Sequence, residues 1–447
     1  MIKRILIANR GEIVDRVMRT CKKVGIESVV IYSEADKSAP YVSKADKSVC
    51  VGPSNPMKSY LNIDAIIDAA QSTQADAVHP GYGFLSERGS FAESVESAGM
   101  VWLGPPAAIL RSISSKCYCR QIANEVNVPI IPGSLHPIKK ADELKDLGAR
   151  LGWPLFLKLD KGGGGKGIEK VTETDDFENV IRKTMSVGNM AFGSPDCYVE
   201  AYINNPKHIE IQFLSDNYHN CICLGERECS LQRRNQKIIE ESPSSTVNDH
   251  DREYLYAWTN RIVKELGYIG AGTIEYLRSP SGNYYFLEIN ARLQVEHPVS
   301  EFVTGIDIVE NQIDIGSQKA LSLRQKDIIL IGHSIESRVY AEDSKTFIPS
   351  PGKITKLTLP ELTDNIRIDH ALAENYTVPP YYDPLLCKVI TWNSDRNKSI
   401  KMLIDTLNII NIEGVSTTIP LSLKLLELDA FINGNYNVTT VDDLVSL

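Results

Sequence analysis

The sequence predicts an α/β architecture joined to α+β parts: an N-terminal doubly wound parallel sheet, a central α+β domain with a mobile glycine-loop lid, and a C-terminal mixed α+β domain. Three observations carry this. Short apolar runs alternate with helix-period stretches over about the first 110 residues. Four glycines at 162–165 separate two strand patterns, and a turn at SPSG (279–282) joins two further strands that carry a line of carboxylates.

Taken in order, residues 2–8 and 28–32 are short β-branched apolar runs separated by a helix-period stretch from Ile13 to Val24, with Gly25 where a C′ residue belongs. A helix at Asn62–Ser72 and the runs Ala77–His79 and Met100–Leu103 continue the alternation. A different texture begins near Arg111. Helical patterns at Ser114–Val126 and Ala141–Leu151 precede the strand LFLKL (155–159), the glycine loop and the strand IEKV (168–171), and strands at Tyr198–Tyr202, His208–Leu214 and Cys221–Glu226 come after them. From about His333 a further domain begins, strand-rich at first and then helical at Lys398–Asn408.

Composition bounds the function. The 447 residues suggest about three domains, and 43% apolar with 23% charged residues supports a sizeable core. A net charge of -9 and a pI near 5.5 exclude the basic stripe of a nucleic-acid binder and a polybasic membrane patch. An anionic ligand must therefore be met by local Lys and Arg clusters. No run approaches the ~18 apolar residues of a membrane span, and the apolar run before Asn9 is too short for a signal peptide, so a soluble cytoplasmic protein is expected. The nine cysteines stand singly or as C-x-C within apolar segments, a pattern of buried reduced thiols.

Residues 162–167 read GGGGKG. Glycine lets backbone N–H groups approach phosphate oxygens, and Lys161 or Lys166 supplies charge. A dinucleotide-binding loop must open a helix, whereas here the strand pattern IEKV comes next, and a Walker loop needs Lys where Ile168 stands. Strand, glycine loop and strand together make a flap that closes over phosphates; a plain mobile turn is the bland alternative.

A four-residue SPSG loop would pair Glu275 with Phe286 and Thr273 with Glu288, placing Glu275 and Glu288 diagonally on one face. If the chain stays extended, Asn290, Arg292, Gln294 and Glu296 continue that face while Leu287, Ile289, Leu293 and Val295 point away. Two carboxylates and an amide oxygen are hard ligands, suited to magnesium on nucleotide phosphates rather than to zinc. The alternative is a solvated strand face.

LEINARLQVEHPVSE (287–301) with Gly305 resembles the biotin carboxylases, within the ATP-grasp superfamily. IANRGEI (7–13), KSYLNIDAII (58–67), HPGYGFLSE (79–87), ERECSLQRRNQK (226–237), PSPGKI (349–354) and YTVPPYYDPLLCKVI (376–390) agree, in family order, over nearly the whole chain. The resemblance implies an N-terminal domain over 1–112, an ATP-grasp domain over 113–332 with a lid at about 132–203, and a C-terminal domain over 333–447. It implies a ligase that uses ATP and bicarbonate to carboxylate biotin through carboxyphosphate, with acetyl-CoA carboxylase as the parent enzyme and propionyl-CoA, pyruvate or urea carboxylase as alternatives.

Carried over by position, Lys116, Lys158, Gly162, Gly163, Gly164, Gly165, Lys166, Gly167, Glu200, Ile203, His208, Gln232 and Asn235 surround ATP. Glu275, Glu288 and Asn290 hold magnesium or manganese, two ions in all. Lys237, Arg292, Gln294, Val295 and Glu296 bind bicarbonate, with Glu296 as general base, and Arg338 with Tyr82 faces biotin. Singly, His208 also reads as a satisfied strand histidine, Arg233 and Arg234 as a solvated pair, and Tyr82 as a turn aromatic. The implied partners are a biotin carboxyl carrier protein and carboxyltransferase subunits in trans, and a second copy in a homodimer.

The sequence departs from the family pattern on the nucleotide side. Ser115 stands where Asp is usual, Asp160-Lys161 replaces a small residue and a fifth glycine, Ala201 replaces Lys, and Asn235 replaces His. These changes lead us to expect weaker or altered ATP binding with activity retained. Two other readings stay open: an ATP-grasp ligase activating an organic carboxylate, against which RLQVEHPV argues, and a non-catalytic paralogue that binds carrier or sister subunits.

Overall fold

A computed structural model describes residues 2–162 and 167–445. Strands β1 (Arg4–Ile7), β2 (Glu27–Ser33), β3 (Lys47–Gly52), β4 (Ala77–His79) and β5 (Val101–Trp102) form one parallel sheet in the order β3-β2-β1-β4-β5. Ile5, Leu6 and Ile7 are wholly buried, as a parallel strand covered on both faces requires. The helix Glu12–Lys23 buries Ile13, Val14, Val17 and Cys21 along one face, and Gly25 comes after it with φ +73°. The strand order reverses between β1 and β4, and the loop 79–84 leaves the carboxyl end of β4 at that switch point, where open α/β sheets bind ligands. Asn9, just past β1, donates from Nδ2 to the carbonyls of Pro80 (2.8 Å) and Tyr82 (2.7 Å) and fixes that loop.

A separate antiparallel sheet consists of β6 (Leu155–Leu159), β7 (Ile168–Val171) and β8 (Cys197–Ala201), in the order β7-β6-β8. Helices Ala141–Leu151 and Phe177–Phe192 cover it, and Leu144, Leu147, Leu155, Leu157, Ile181 and Val199 give it a core of its own. The hairpin from β6 to β7 confirms that the glycine loop joins two strands.

The largest sheet has eight strands in the order β13-β12-β9-β10-β11-β14-β19-β17. Its strands are β9 (Lys207–Ser215), β10 (Cys221–Arg233), β11 (Gln236–Ser242), β12 (Gly270–Arg278), β13 (Tyr284–Asn290) and β14 (His333–Tyr340), then, past short β15 (Gly352–Lys353) and β16 (Lys356–Thr358), β17 (Ile366–His370) and, past β18 (Thr377–Val378), β19 (Leu385–Asn393); β20 (Asn411–Glu413) pairs with β16. The sheet runs without a break across residue 332. β10 outruns the predicted Cys221–Glu226 because its second half, with Glu226, Arg227 and Glu228 fully buried, faces a charged interior rather than an apolar one.

Three expectations are corrected. The hairpin loop holds five residues, since Arg278 pairs with Tyr284, and β13 carries an extra residue at Leu287, so Glu275 lies directly opposite Glu288 and Thr273 opposite Asn290. The polar face does not continue as extended chain: β13 ends at Asn290, and Glu296 (φ -81°, ψ 11°) caps the helix His297–Thr304, which Pro298 in its first turn helps to start. All nine cysteines are free thiols, yet Cys50 is exposed, because it lies on edge strand β3. Among the described residues no helix is long and apolar enough to cross a membrane.

Candidate active site

Alternation along β9 brings His208, Glu210 and Gln212 to one face. β12 places Glu275 opposite Glu210, and β13 places Glu288 opposite Glu275. The β10–β11 hairpin turns at Arg234 and Asn235, both left-handed (φ 49° and 64°), as a tight hairpin demands. It delivers Lys237, whose Nζ donates to Glu210 Oε2 (2.6 Å), Glu275 Oε1 (3.1 Å) and Glu296 Oε1 (2.6 Å). Each carboxylate has a second cationic neighbour: Arg227 Nε lies 2.5 Å from Glu210, His208 Nε2 lies 3.1 Å from Glu275, and Arg338 Nη2 lies 2.9 Å from Glu296. Burial by itself raises the pKa of Glu275 and Glu296, but Lys237, aided by His208 or Arg338, overrides it and holds both well below the usual carboxylate range.

The segment after β13 gathers the groups expected to face bicarbonate. Arg292 donates from Nη1 to Gln294 Oε1 (3.1 Å) and from Nη2 to Asn290 Oδ1 (3.2 Å), and its Nε lies 3.2 Å from Glu87. Gln294 is buried and its Nε2 has no partner among the described residues, an amide donor left over for an acceptor. The Val295 carbonyl accepts from Lys388 Nζ at 2.7 Å. Lys388 pairs across strands with Arg338 and lies 5.8 Å from the Tyr82 ring, whose buried hydroxyl also lacks a partner among the described residues. The expected biotin-facing residues therefore converge on Lys388.

Behind Arg338, Glu240 Oε1 accepts from its Nε (2.6 Å). Burial pushes the Glu240 carboxyl up to about 7, with Arg338 offsetting part of the effect. A carboxyl that keeps its proton longer when folded binds more protons in the native state between the unfolded value near 4.5 and about 7, so its contribution to stability is lost as pH rises through that window. We predict that Glu240→Gln flattens the fall in thermal midpoint between about pH 5 and 7 by roughly 2–4 °C. Melting curves across that range check it, and an unchanged slope contradicts it.

Among the residues expected to surround ATP, Ser115 caps the helix Lys116–Glu125, and Lys116 reaches across to Glu288. Arg120 of that helix grips Glu200 Oε1 (2.6 Å), and Lys158 on β6 takes the other oxygen of the same carboxylate. Gly167 (φ +77°) closes the base of the loop by accepting from the Leu159 N–H (2.9 Å), and a Cβ there would lie 2.2 Å from the Leu159 side chain, so only glycine fits. Gly163, Gly164, Gly165 and Lys166 lie outside the described residues. Gly162 and Ile203 are half-buried, Gln232 lies opposite Lys237, and Asn235 is exposed at the hairpin tip.

The proposed metal ligands suit a hard cation. Glu275 and Glu288 oppose one another directly, which is unfavourable without a counter-charge, and here Lys116 and Lys237 supply it. Asn290 donates to Glu275 Oε1 (2.9 Å) and places its own oxygen near Arg292. His208, Glu210 and Glu275 also cluster with potential ligand atoms within 4.8 Å of one another.

Family models match along the chain: "Biotin carboxylase, N-terminal domain" over 1–110, "Carbamoyl-phosphate synthase L chain, ATP binding domain" over 115–324, and "Biotin carboxylase C-terminal domain" over 336–443. The chain is 45% identical over 439 residues to biotin carboxylase 1 of Bacillus subtilis, covering 98% of this chain and 97% of that protein. The chain belongs to the biotin carboxylase family. The solved biotin carboxylase–β,γ-ATP complex from Campylobacter jejuni superposes with a TM-score of 0.96 at 44% identity, covering 99% of both chains. The biotin carboxylase domain dimer of Hydrogenobacter thermophilus 2-oxoglutarate carboxylase, in complex with MgADP, ADP and bicarbonate, also gives 0.96, at 40% identity, covering 99% of this chain and 98% of that one. The architecture is thus that of a biotin carboxylase, with an N-terminal parallel sheet, a central ATP-grasp domain and a C-terminal domain, and the family consists of ATP-dependent ligases.

Sequence reasoning missed Glu210, Arg227, Glu240 and Lys388. A signal for Glu210 exists: it stands two residues after His208 on one face of a recognised strand. Arg227 and Glu240 lie beside other charged residues, with nothing in the sequence to mark them as buried, yet both are fully buried.

Proposed function

We propose that the chain carboxylates biotin held on a separate carrier, using ATP and bicarbonate, as the first half-reaction of a biotin-dependent carboxylase. The observation that carries this reading is Glu296, fully buried and clamped between Lys237 and Arg338, with Arg292 and the unpartnered Gln294 amide on the same loop. An incoming bicarbonate draws Lys237 and Arg292 to itself. Relieved of part of that positive charge, Glu296 becomes a better base and takes the bicarbonate proton. The freed oxygen attacks the γ-phosphorus, the bond to ADP breaks, and carboxyphosphate forms while Lys116 and Lys158 meet the spreading phosphoryl charge.

Glu275, Glu288 and Asn290 would hold magnesium, which would supply neutralisation of the phosphate oxygens. Carboxyphosphate then splits into carbon dioxide and phosphate, the phosphate takes the ureido proton of biotin, and the ureido nitrogen bonds the carbon dioxide. Arg338 faces the developing enolate oxygen, with Tyr82 alongside. The labile intermediate requires that water be kept from the site.

For the parent enzyme we adopt acetyl-CoA carboxylase, with carrier and carboxyltransferase in trans, a homodimer in the cytoplasm, and divisions at 1–112, 113–332 (lid about 132–203) and 333–447. The likeness to a 2-oxoglutarate carboxylase domain supports a second reading in which the final acceptor is a 2-oxo acid. The test is bicarbonate-dependent ATP hydrolysis with magnesium, with and without free biotin, beside Glu296→Ala and Glu296→Gln. Biotin stimulation is expected in the wild type and should fall about 10²- to 10⁴-fold in both variants. Full turnover in Glu296→Gln refutes the base assignment. An inactive wild type that still binds ATP points to a non-catalytic paralogue.

A further inference from the structure

Asp160 stands directly after β6 and opens the glycine loop, yet its polar atoms turn to the body of the protein. Its Oδ1 accepts from the Ser115 hydroxyl (3.0 Å) and the Cys117 N–H (2.7 Å), its carbonyl accepts from the Lys116 N–H (3.1 Å), and its own N–H bonds the Asp196 carbonyl (2.9 Å). The residue is only 4% exposed. Ser115 Oγ in turn accepts from the Tyr118 N–H (3.1 Å), so one carboxylate and one hydroxyl together close the first turn of the helix Lys116–Glu125.

One turn further along that helix, Arg120 holds Glu200 of β8 and the carbonyls of Ile131 (2.8 Å) and Ser134 (3.2 Å). Lys158, two residues before Asp160 and therefore on the same side of β6, meets the other oxygen of Glu200. Helix and lid sheet are thus fastened at two points, and Lys116 and Lys158, the two lysines assigned to the polyphosphate, are held in place by these fastenings.

We propose that Asp160 is a positioning residue for MgATP: with Ser115, it docks the start of the glycine loop on the first turn of the helix Lys116–Glu125 and sets the spacing of Lys116 and Lys158. The proposal rests on the ATP-binding reading above and adds to it. A carboxylate suits a helix N-terminus wherever in the pair it originates. Ser115 Oγ and Asp160 Oδ1 are 3.0 Å apart, so the two side chains should be exchangeable. Two carboxylates at that separation repel, and none leaves the Cys117 amide unpaired. Ser115 and Asp160 therefore act as one unit at this helix start.

The test is calorimetric binding of MgATP to the intact chain, with KM for ATP and kcat measured alongside, for Asp160→Ser, Ser115→Asp and the double variant. Each single change is expected to weaken MgATP binding about tenfold, the worth of one charge-assisted hydrogen bond, with the loss falling on KM rather than kcat. The exchanged pair is expected to return to within about threefold of the wild type. It carries the test even where a single variant folds poorly. Wild-type affinity in Asp160→Ser, or a double variant weaker than either single, overturns the proposal alone. Absence of MgATP binding by the wild type overturns the ATP reading and this proposal with it.

Discussion

Lys237→Met should abolish bicarbonate-dependent ATP hydrolysis and lower folding stability by about 3–5 kcal/mol, the usual cost of breaking a buried ion cluster by removing one partner. The ammonium serves Glu210, Glu275 and Glu296 at once, and all three carboxylates are out of water. Methionine matches the length of the stem but leaves Glu210 to Arg227, Glu275 to His208 and Glu296 to Arg338. Those remaining cations should keep the fold intact. The pH dependence supplies a second readout: Glu275 and Glu296, held low in the native state, contribute stability that is present above the ordinary carboxylate range and lost as pH falls through it. Without Lys237 that acid limb should become shallower. Denaturant midpoints at pH 8 measure the loss of stability and midpoints at about pH 3 and 5 the acid limb, because both carboxylates titrate below the ordinary range, and a variant as stable as the wild type with an unchanged acid limb contradicts the hub assignment.

Arg338→Lys should separate the two halves of the reaction. The arginine spans Glu240 through Nε and Glu296 through Nη2, a two-sided grip that a single ammonium cannot reproduce. Biotin-stimulated turnover should fall about 10²- to 10³-fold, as for loss of a donor to a developing oxyanion. ATP hydrolysis in the absence of biotin should fall far less, because Lys237 still orients Glu296. Assaying both activities on one preparation decides the matter, and equal losses in the two would place Arg338 with bicarbonate rather than biotin.

The α/β alternation at the N-terminus was legible where its strands are short, apolar and covered on both faces, as β1, β2 and β4 are, and where the helices keep the 3.6-residue period; edge strand β3, mostly exposed, left no such run and went unread. The nature of the glycine loop was legible from the strand pattern IEKV on its C-terminal side, where a phosphate-binding helix would otherwise begin. The carboxylate hairpin was recognisable, but its register was not: a five-residue loop and a one-residue bulge at Leu287 leave no mark in the alternation, and they decide whether Glu275 meets Glu288 or Phe286. The path to Glu296 was hidden for a related reason. Period-two reasoning assumes extended chain, whereas Pro298 starts a helix and the base arrives through a turn. The second cations, Arg227 above all, were invisible because a buried charge and a solvated one look alike in sequence, and only the fold reveals which carboxylates surround them.

The large sheet and the small one are built as separate units. β11 and β14 are direct neighbours in one ladder, so Lys237 on β11 and Arg338 on β14 are tied by main-chain hydrogen bonds with no hinge between them. Strands β6, β7 and β8, the proposed lid, form a small sheet with a core of their own, and local opening is cheapest where few apolar contacts must be broken. If the chain works as proposed, local opening of the small sheet would admit and release nucleotide while the continuous ladder keeps Glu296 aligned with its cations.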